Sequence, residues 1–165
     1  MKNQLKDILH LKPQVKIENV PVVKKPPKKS GRHLSRSLAV QVIYSIKLNS
    51  QSVHDSEEFL IQNNKSIFER ANYELLSQIV AHSVDNFDVY LKRYTPYLTR
   101  EIKDINLIEQ IILVIAAYEL LNSHSVPSPV IINEAVELTK LYGAEDSYKF
   151  INGLVDKLAH EIRPS

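Results

Sequence analysis

Apolar residues recur at helical spacing through most of the chain. Leu38, Ala39, Val42, Ile43 and Ile46 fall at i, i+1, i+4, i+5 and i+8, which predicts an amphipathic helix from Arg32 onward. On a helical wheel Arg32, His33, Arg36, Val40, Tyr44 and Lys47 gather on the adjoining sector. That helix would dock by one side and offer a basic, aromatic-tipped strip along another. A short helix is expected over Asp55 to Asn63, with Phe59 and Leu60 inward. A longer one is expected from about Ile67 to Phe87, carried by Phe68, Leu75, Leu76, Ile79, Val80 and Val84. It continues or breaks before the run from Val89 to Tyr94, and Pro96 ends the pattern.

Asn106 and Glu109 form a variant capping box: Asn106 accepts the N3 amide and Glu109 reaches back to the cap. The helix they open is apolar nearly all round, from Leu107 to Leu121, so it belongs in the centre of a bundle. Ser128 and Pro129 read as an N-cap followed by proline at the first helical position. Tyr142 ends that helix, and Gly143 reads as a left-handed stop. Asp146 and Ser147 open a last helix whose inward stripe is Phe150, Ile151, Leu154, Val155 and Leu158. Gly153 costs helix propensity there, which predicts a close helix crossing. Strand alternation and internal repeats are lacking. The fold is all-α, with six or seven helices expected.

Composition narrows the chemistry. A length of 165 residues with 44% apolar and 24% charged residues suits one domain with a real core. The absence of cysteine excludes disulfides, thiolate zinc sites and cysteine nucleophiles. Gly31, Gly143 and Gly153 are the only glycines and are too far apart for a phosphate-cradling or dinucleotide loop. The six histidines are scattered, with no i+3 or i+4 pair to hold a metal. Glu134 and Glu137 share a face, as acids on solvated helices do. A non-enzyme without metal or cofactor is expected. The most apolar stretch, Gln110 to Tyr118, is nine residues, far short of a membrane span, and the N-terminal residues lack the apolar run of a signal peptide. A cytoplasmic protein is expected.

The net charge of +2 hides a split. Residues 1–36 hold ten basic side chains against Asp7 and Glu18, and the rest of the chain is acidic by six. Residues 1–30 read as a flexible extension with four prolines and the run Lys24-Lys25-Pro26-Pro27-Lys28-Lys29, in which Leu5, Ile8 and Leu9 can line only a marginal helix. Residues 31–165 then form the helical domain. A basic arm on an acidic body points to a polyanion, most often nucleic acid, or else to a solubilising tail.

Four stretches carry a family resemblance: Arg36 to Tyr44, with Ala39, Gln41 and Tyr44; Glu109 to Leu120; Pro127 to Leu138, with Ile132-Asn133-Glu134-Ala135 at its heart; and Gly143 to Lys157. In these the sequence resembles the NusB family of bacterial transcription antitermination factors, from about Arg32 to Pro164. The resemblance implies two small helical bundles and no catalysed reaction. It implies binding to the boxA element of nascent RNA, notably in ribosomal RNA leaders, as a heterodimer with the small-subunit ribosomal protein NusE. That pair would join the other Nus factors on RNA polymerase.

By family position, Arg32, His33 and Arg36 match the arginine-rich start of the opening helix, a main RNA contact. Physical chemistry agrees: cations neutralise phosphates and aromatics stack on unpaired bases. Arg32, Arg36 and Lys47 would supply the phosphate contacts, and Tyr44 would stack or donate its hydroxyl. The resemblance also places Asp146, Lys149 and Phe150 beside RNA and makes Glu109 a contact for the protein partner. Each keeps a plainer reading: Asp146 and Glu109 as caps, Lys149 as a solvated charge, Phe150, Tyr44 and Tyr118 as core. The family's arginine run is thinned here, because Leu34 and Ser35 interrupt it and His33 stands in place of an arginine. The lysine-rich extension would compensate by non-specific attraction. Two other functions remain open: a protein-binding helical scaffold without specific RNA recognition, and an RNA-recruiting module working with a ribosomal RNA methyltransferase.

Overall fold

The computed structural model describes residues 30–165. The extension expected over residues 1–30 therefore lies, but for Ser30, outside the described residues. Among these the fold is all-α, as expected, with eight α-helices: α1 (Gly31–Asn49), α2 (Val53–Asn63), α3 (Lys65–Arg70), α4 (Tyr73–Asp85), α5 (Phe87–Lys92), α6 (Leu107–Asn122), α7 (Ser128–Tyr142) and α8 (Ser147–Ile162). Two short 3-10 turns, Thr95–Tyr97 and Ile102–Asp104, lie between α5 and α6. The chain divides into two compact units, with the boundary between Val80 and Ala81 inside α4.

The helix expected over Ile67 to Phe87 is three helices. Ala71 is extended (φ −74°, ψ 157°), and Asn72 caps α4 by accepting the Leu75 amide at 3.0 Å. Asn86, at φ −123° and ψ 23°, interrupts the path again before α5. Asparagine side chains compete for backbone groups and so favour such breaks.

In the first unit, α1 packs on α2 and α3. Its start is held at residues 70–72. A Cβ on Gly31 would stand 2.6 Å from the Arg70 carbonyl oxygen, so only glycine allows this approach. The Asn72 amide donates to Ser35 Oγ at 2.8 Å, and the Ser35 hydroxyl lies 2.7 Å from the Asn72 carbonyl oxygen. Ser52 caps α2 by accepting the Asp55 amide and donates to the Asp55 carboxylate. Leu60 and Ile61, rather than Phe59 and Leu60, are its buried pair.

In the second unit α6 is central, packed on α5, α7 and α8, and every residue from Ile111 to Leu120 is buried. Tyr94 is fully buried and donates its hydroxyl to the Leu113 carbonyl at 2.8 Å. Arg163 closes the other end of α6. Its guanidinium donates to the carbonyls of Leu120, Glu119, Ser123 and Val126 at 2.6–3.1 Å, satisfying groups the helix end leaves open. Tyr118 is core: it is 5% exposed and stacks on His82 at 5.1 Å.

Two glycines differ from expectation. Gly143 is extended (φ −82°, ψ 176°), not left-handed. A Cβ there would stand 2.7 Å from the Thr139 carbonyl oxygen, so space rather than φ requires glycine. Gly153 meets no crossing helix, because an added Cβ would find nothing within 4 Å. The start of α7 is shifted by one residue: Pro127 takes the N-cap position and Ser128 is the first helical residue.

Candidate nucleic-acid interface

The two sets of candidate residues fall on different units. Arg32, His33, Arg36, Tyr44 and Lys47 lie on α1 in the first, whereas Glu109, Asp146, Lys149 and Phe150 lie in the second. On α1, Ser30 caps the helix by accepting the His33 amide at 3.3 Å. The expected open strip is interrupted. Arg32 and Lys47 are exposed and Tyr44 is half-buried, but His33, Arg36 and Val40 are buried. All residues from His33 to Ile43 are buried, so the helix is covered on every side over three turns. Neither His33 nor Arg36 is without a partner, as a buried charge requires. Leu34 and Ser35, which interrupt the arginine run, are packing residues: one is core and the other binds Asn72.

In the second unit three side chains converge, and one of them, Arg100, carries no sequence signal. Arg100 lies in the segment between the two 3-10 turns. Its guanidinium carbon stands 4.4 Å from the centroid of the Phe150 ring on α8. Its Nη2 stands 3.9 Å from Glu109 Oε2 on the first turn of α6. The Glu109 side chain is 5% exposed and that of Arg100 43% exposed. Phe150 is half-buried, at the edge of the core rather than within it. One ring face is thus taken by a cation.

Glu109 fills half of its expected capping role. Asn106 Oδ1 accepts the Glu109 amide at 2.9 Å, but the Glu109 carboxylate turns to Arg100 instead of back to the cap. Asp146 occupies the N-cap position of α8 without making a side-chain cap bond, in the left-handed region (φ 64°, ψ −5°). Its carboxylate lies 3.6 Å from Lys149 Nζ, both side chains being exposed. Tyr148, not anticipated from the sequence, sits between two lysines, with Lys140 Nζ 4.9 Å and Lys149 Nζ 5.9 Å from its ring centroid. Cations and ring faces thus alternate along the start of α8, a surface suited to phosphates and unstacked bases.

The segment that carries Arg100 is anchored to the far end of α8. Arg93 Nη2 donates to Glu161 Oε1 at 2.7 Å, and the Tyr97 hydroxyl donates to Glu161 Oε2. The Tyr97 bond, helped by Arg93, holds the Glu161 carboxyl below its usual range and raises the Tyr97 hydroxyl. Among the described residues no cluster of three or more His, Asp or Glu side chains is placed to hold a metal ion. No helix there is long and apolar enough to cross a membrane.

The model of the NusB family matches residues 33–160. A protein of Neisseria meningitidis serogroup B named transcription antitermination protein NusB is 39% identical over 136 residues, covering 82% of this chain and 95% of that one. Its namesake in Colwellia psychrerythraea is 39% identical over 138 residues, covering 83% and 98%. Among solved structures, T. maritima NusB superposes with a TM-score of 0.67 at 26% identity, over 81% of this chain and 93% of that one.

Proposed function

The chain belongs to the NusB family, and from that premise we propose that it binds boxA RNA as a heterodimer with the ribosomal protein NusE. The pair would act with the other Nus factors on RNA polymerase in the cytoplasm, without catalysing a reaction, and would sustain transcription of ribosomal RNA. The observation that carries this reading is the family match over nearly all described residues, joined to the alternation of cations and rings around Phe150.

Within this reading, Arg32 and Lys47 on the first unit meet phosphates, and Tyr44 lies between them in sequence. Phe150 stacks on a base, Lys149 supplies charge, and Asp146 tempers it. Glu109 is the candidate contact for NusE by family position. Reconstituted transcription through a boxA leader and a terminator tests the function. Readthrough should rise when this chain and NusE are added together. Readthrough unchanged by the pair would refute it.

A second reading is favoured by one observation: His33 and Arg36, two of the three residues matched to the RNA-contacting start of α1, are buried. Under it the chain is a protein-binding scaffold, and NusE binding would persist with no preference for boxA.

A further inference from the structure

We propose that Arg100 seats the nucleotide whose base stacks on Phe150, its guanidinium directed at that nucleotide's phosphate. This inference deepens the RNA-binding reading and rests on it. The guanidinium is planar and lies 4.4 Å from the centroid of the half-buried Phe150 ring, so a base stacking there would meet a ring already paired with a cation. Glu109, nearly enclosed, fixes it at one corner through Nη2. Among the described residues no hydrogen bond engages Nη1 or Nε, so the donor fork is unspent on a side chain still 43% exposed. Those nitrogens are the donors that match phosphate geometry.

The surroundings fit the same ligand. Arg100 lines an open cavity of about 520 Å³ together with Thr95 and Thr99, whose hydroxyls can donate to phosphate oxygens. Lys103 on the same rim is already paired with Glu101 at 2.9 Å, which leaves Arg100 as the cation with donors to give. The chain next to Thr95 is tied to α8 by the Arg93–Glu161 and Tyr97–Glu161 bonds, which restrains one end of the segment that lines the cavity. A fixed cation needs little ordering on binding, which favours affinity. Glu109 is then a positioning residue: it acts on RNA through Arg100.

The test uses the full chain: RNA binding is read without the protein partner, and NusE affinity is measured separately for each variant. Labelled boxA RNA and a shuffled control are titrated at several salt concentrations by fluorescence anisotropy. Arg100→Ala should weaken boxA binding roughly tenfold and lower the salt slope by about one. Phe150→Ala should weaken binding without changing the slope. Arg100→Lys should restore the slope while leaving the preference for boxA over the control reduced, because the fork and the stack are lost. Glu109→Gln should weaken RNA binding in the absence of any partner, with the melting temperature recorded for each variant. Wild-type binding by Arg100→Ala would overturn the inference and leave the RNA-binding reading standing. Loss of NusE affinity alone in that variant would also overturn it, assigning the cavity to the protein partner. A wild-type chain that binds neither RNA would refute the RNA-binding reading itself.

Discussion

Tyr94 holds the second unit together from within. Its ring is fully buried and its hydroxyl donates to Leu113 in the middle of α6. Burial raises the hydroxyl far above its ordinary value of 10.0, because the phenolate cannot be solvated there. The folded protein therefore keeps the proton at pH values where the unfolded chain releases it. The stability this group contributes is complete below pH 10.0 and is lost as pH rises above it, at up to about 1.4 kcal/mol per pH unit. Urea unfolding between pH 9 and 11.5 should show that decline in the wild type and a shallower one in Tyr94→Phe. At pH 7 the same variant should be less stable by about 1 kcal/mol through the lost hydrogen bond. Equal slopes for the two proteins would contradict the burial argument. At this scale the sequence exposes residue types but not pairings. Tyr94 and Tyr97 read alike, yet one is core and the other an exposed donor to Glu161. Arg100 stayed hidden for the same reason: it is a lone arginine in a loop, and its partner Phe150 is fifty positions away in sequence.

At the level of the element, periodicity found the helices and misjudged their ends. The all-apolar pattern of Leu107 to Leu121 named the central helix, and α6 is buried for ten residues in succession. The single pattern from Ile67 to Phe87 hid two breaks, because Asn72 and Asn86 interrupt the backbone without disturbing the spacing of apolar residues. The wheel of α1 found its inward stripe but could not foresee that its basic side would be covered as well. Gly143 after α7 and Gly153 within α8 differ from their expected roles, since neither φ nor open space is visible in a sequence. Their substitutions should have opposite signs. Gly143→Ala forces a Cβ against the Thr139 carbonyl oxygen and should destabilise by roughly 1–3 kcal/mol. Gly153→Ala meets nothing and should stabilise α8 by about 1 kcal/mol, raising the melting temperature by about 2–4 °C. Calorimetry of the pair checks both. A melting temperature lowered by Gly153→Ala would mean that the face beside Phe150 is less open than the structure has it.

For the whole molecule the governing feature is polarity of charge. Eight lysines lie within residues 1–29, ahead of a chain whose remainder is acidic. With Arg36 and His33 buried, α1 presents fewer cations than its sequence offers, so on the proposed RNA-binding reading the extension would carry more of the non-specific attraction. Deleting residues 1–29 should then weaken binding to boxA and shuffled RNA alike and flatten the dependence of affinity on salt. An unchanged slope would defeat that account and make the extension a solubilising tail. Sequence alone was enough to place the chain in its family, because the four stretches are specific in order and spacing and span both units. It was not enough to show which side chains meet, as Arg100 and Phe150 do. The most direct test of the account as a whole is an anisotropy titration of labelled boxA RNA and a shuffled control, at two salt concentrations, with and without NusE. The account predicts a preference for boxA that NusE strengthens and that survives the higher salt. Equal affinity for both RNAs, with or without NusE, would contradict it and leave a basic arm on a protein-binding helical scaffold.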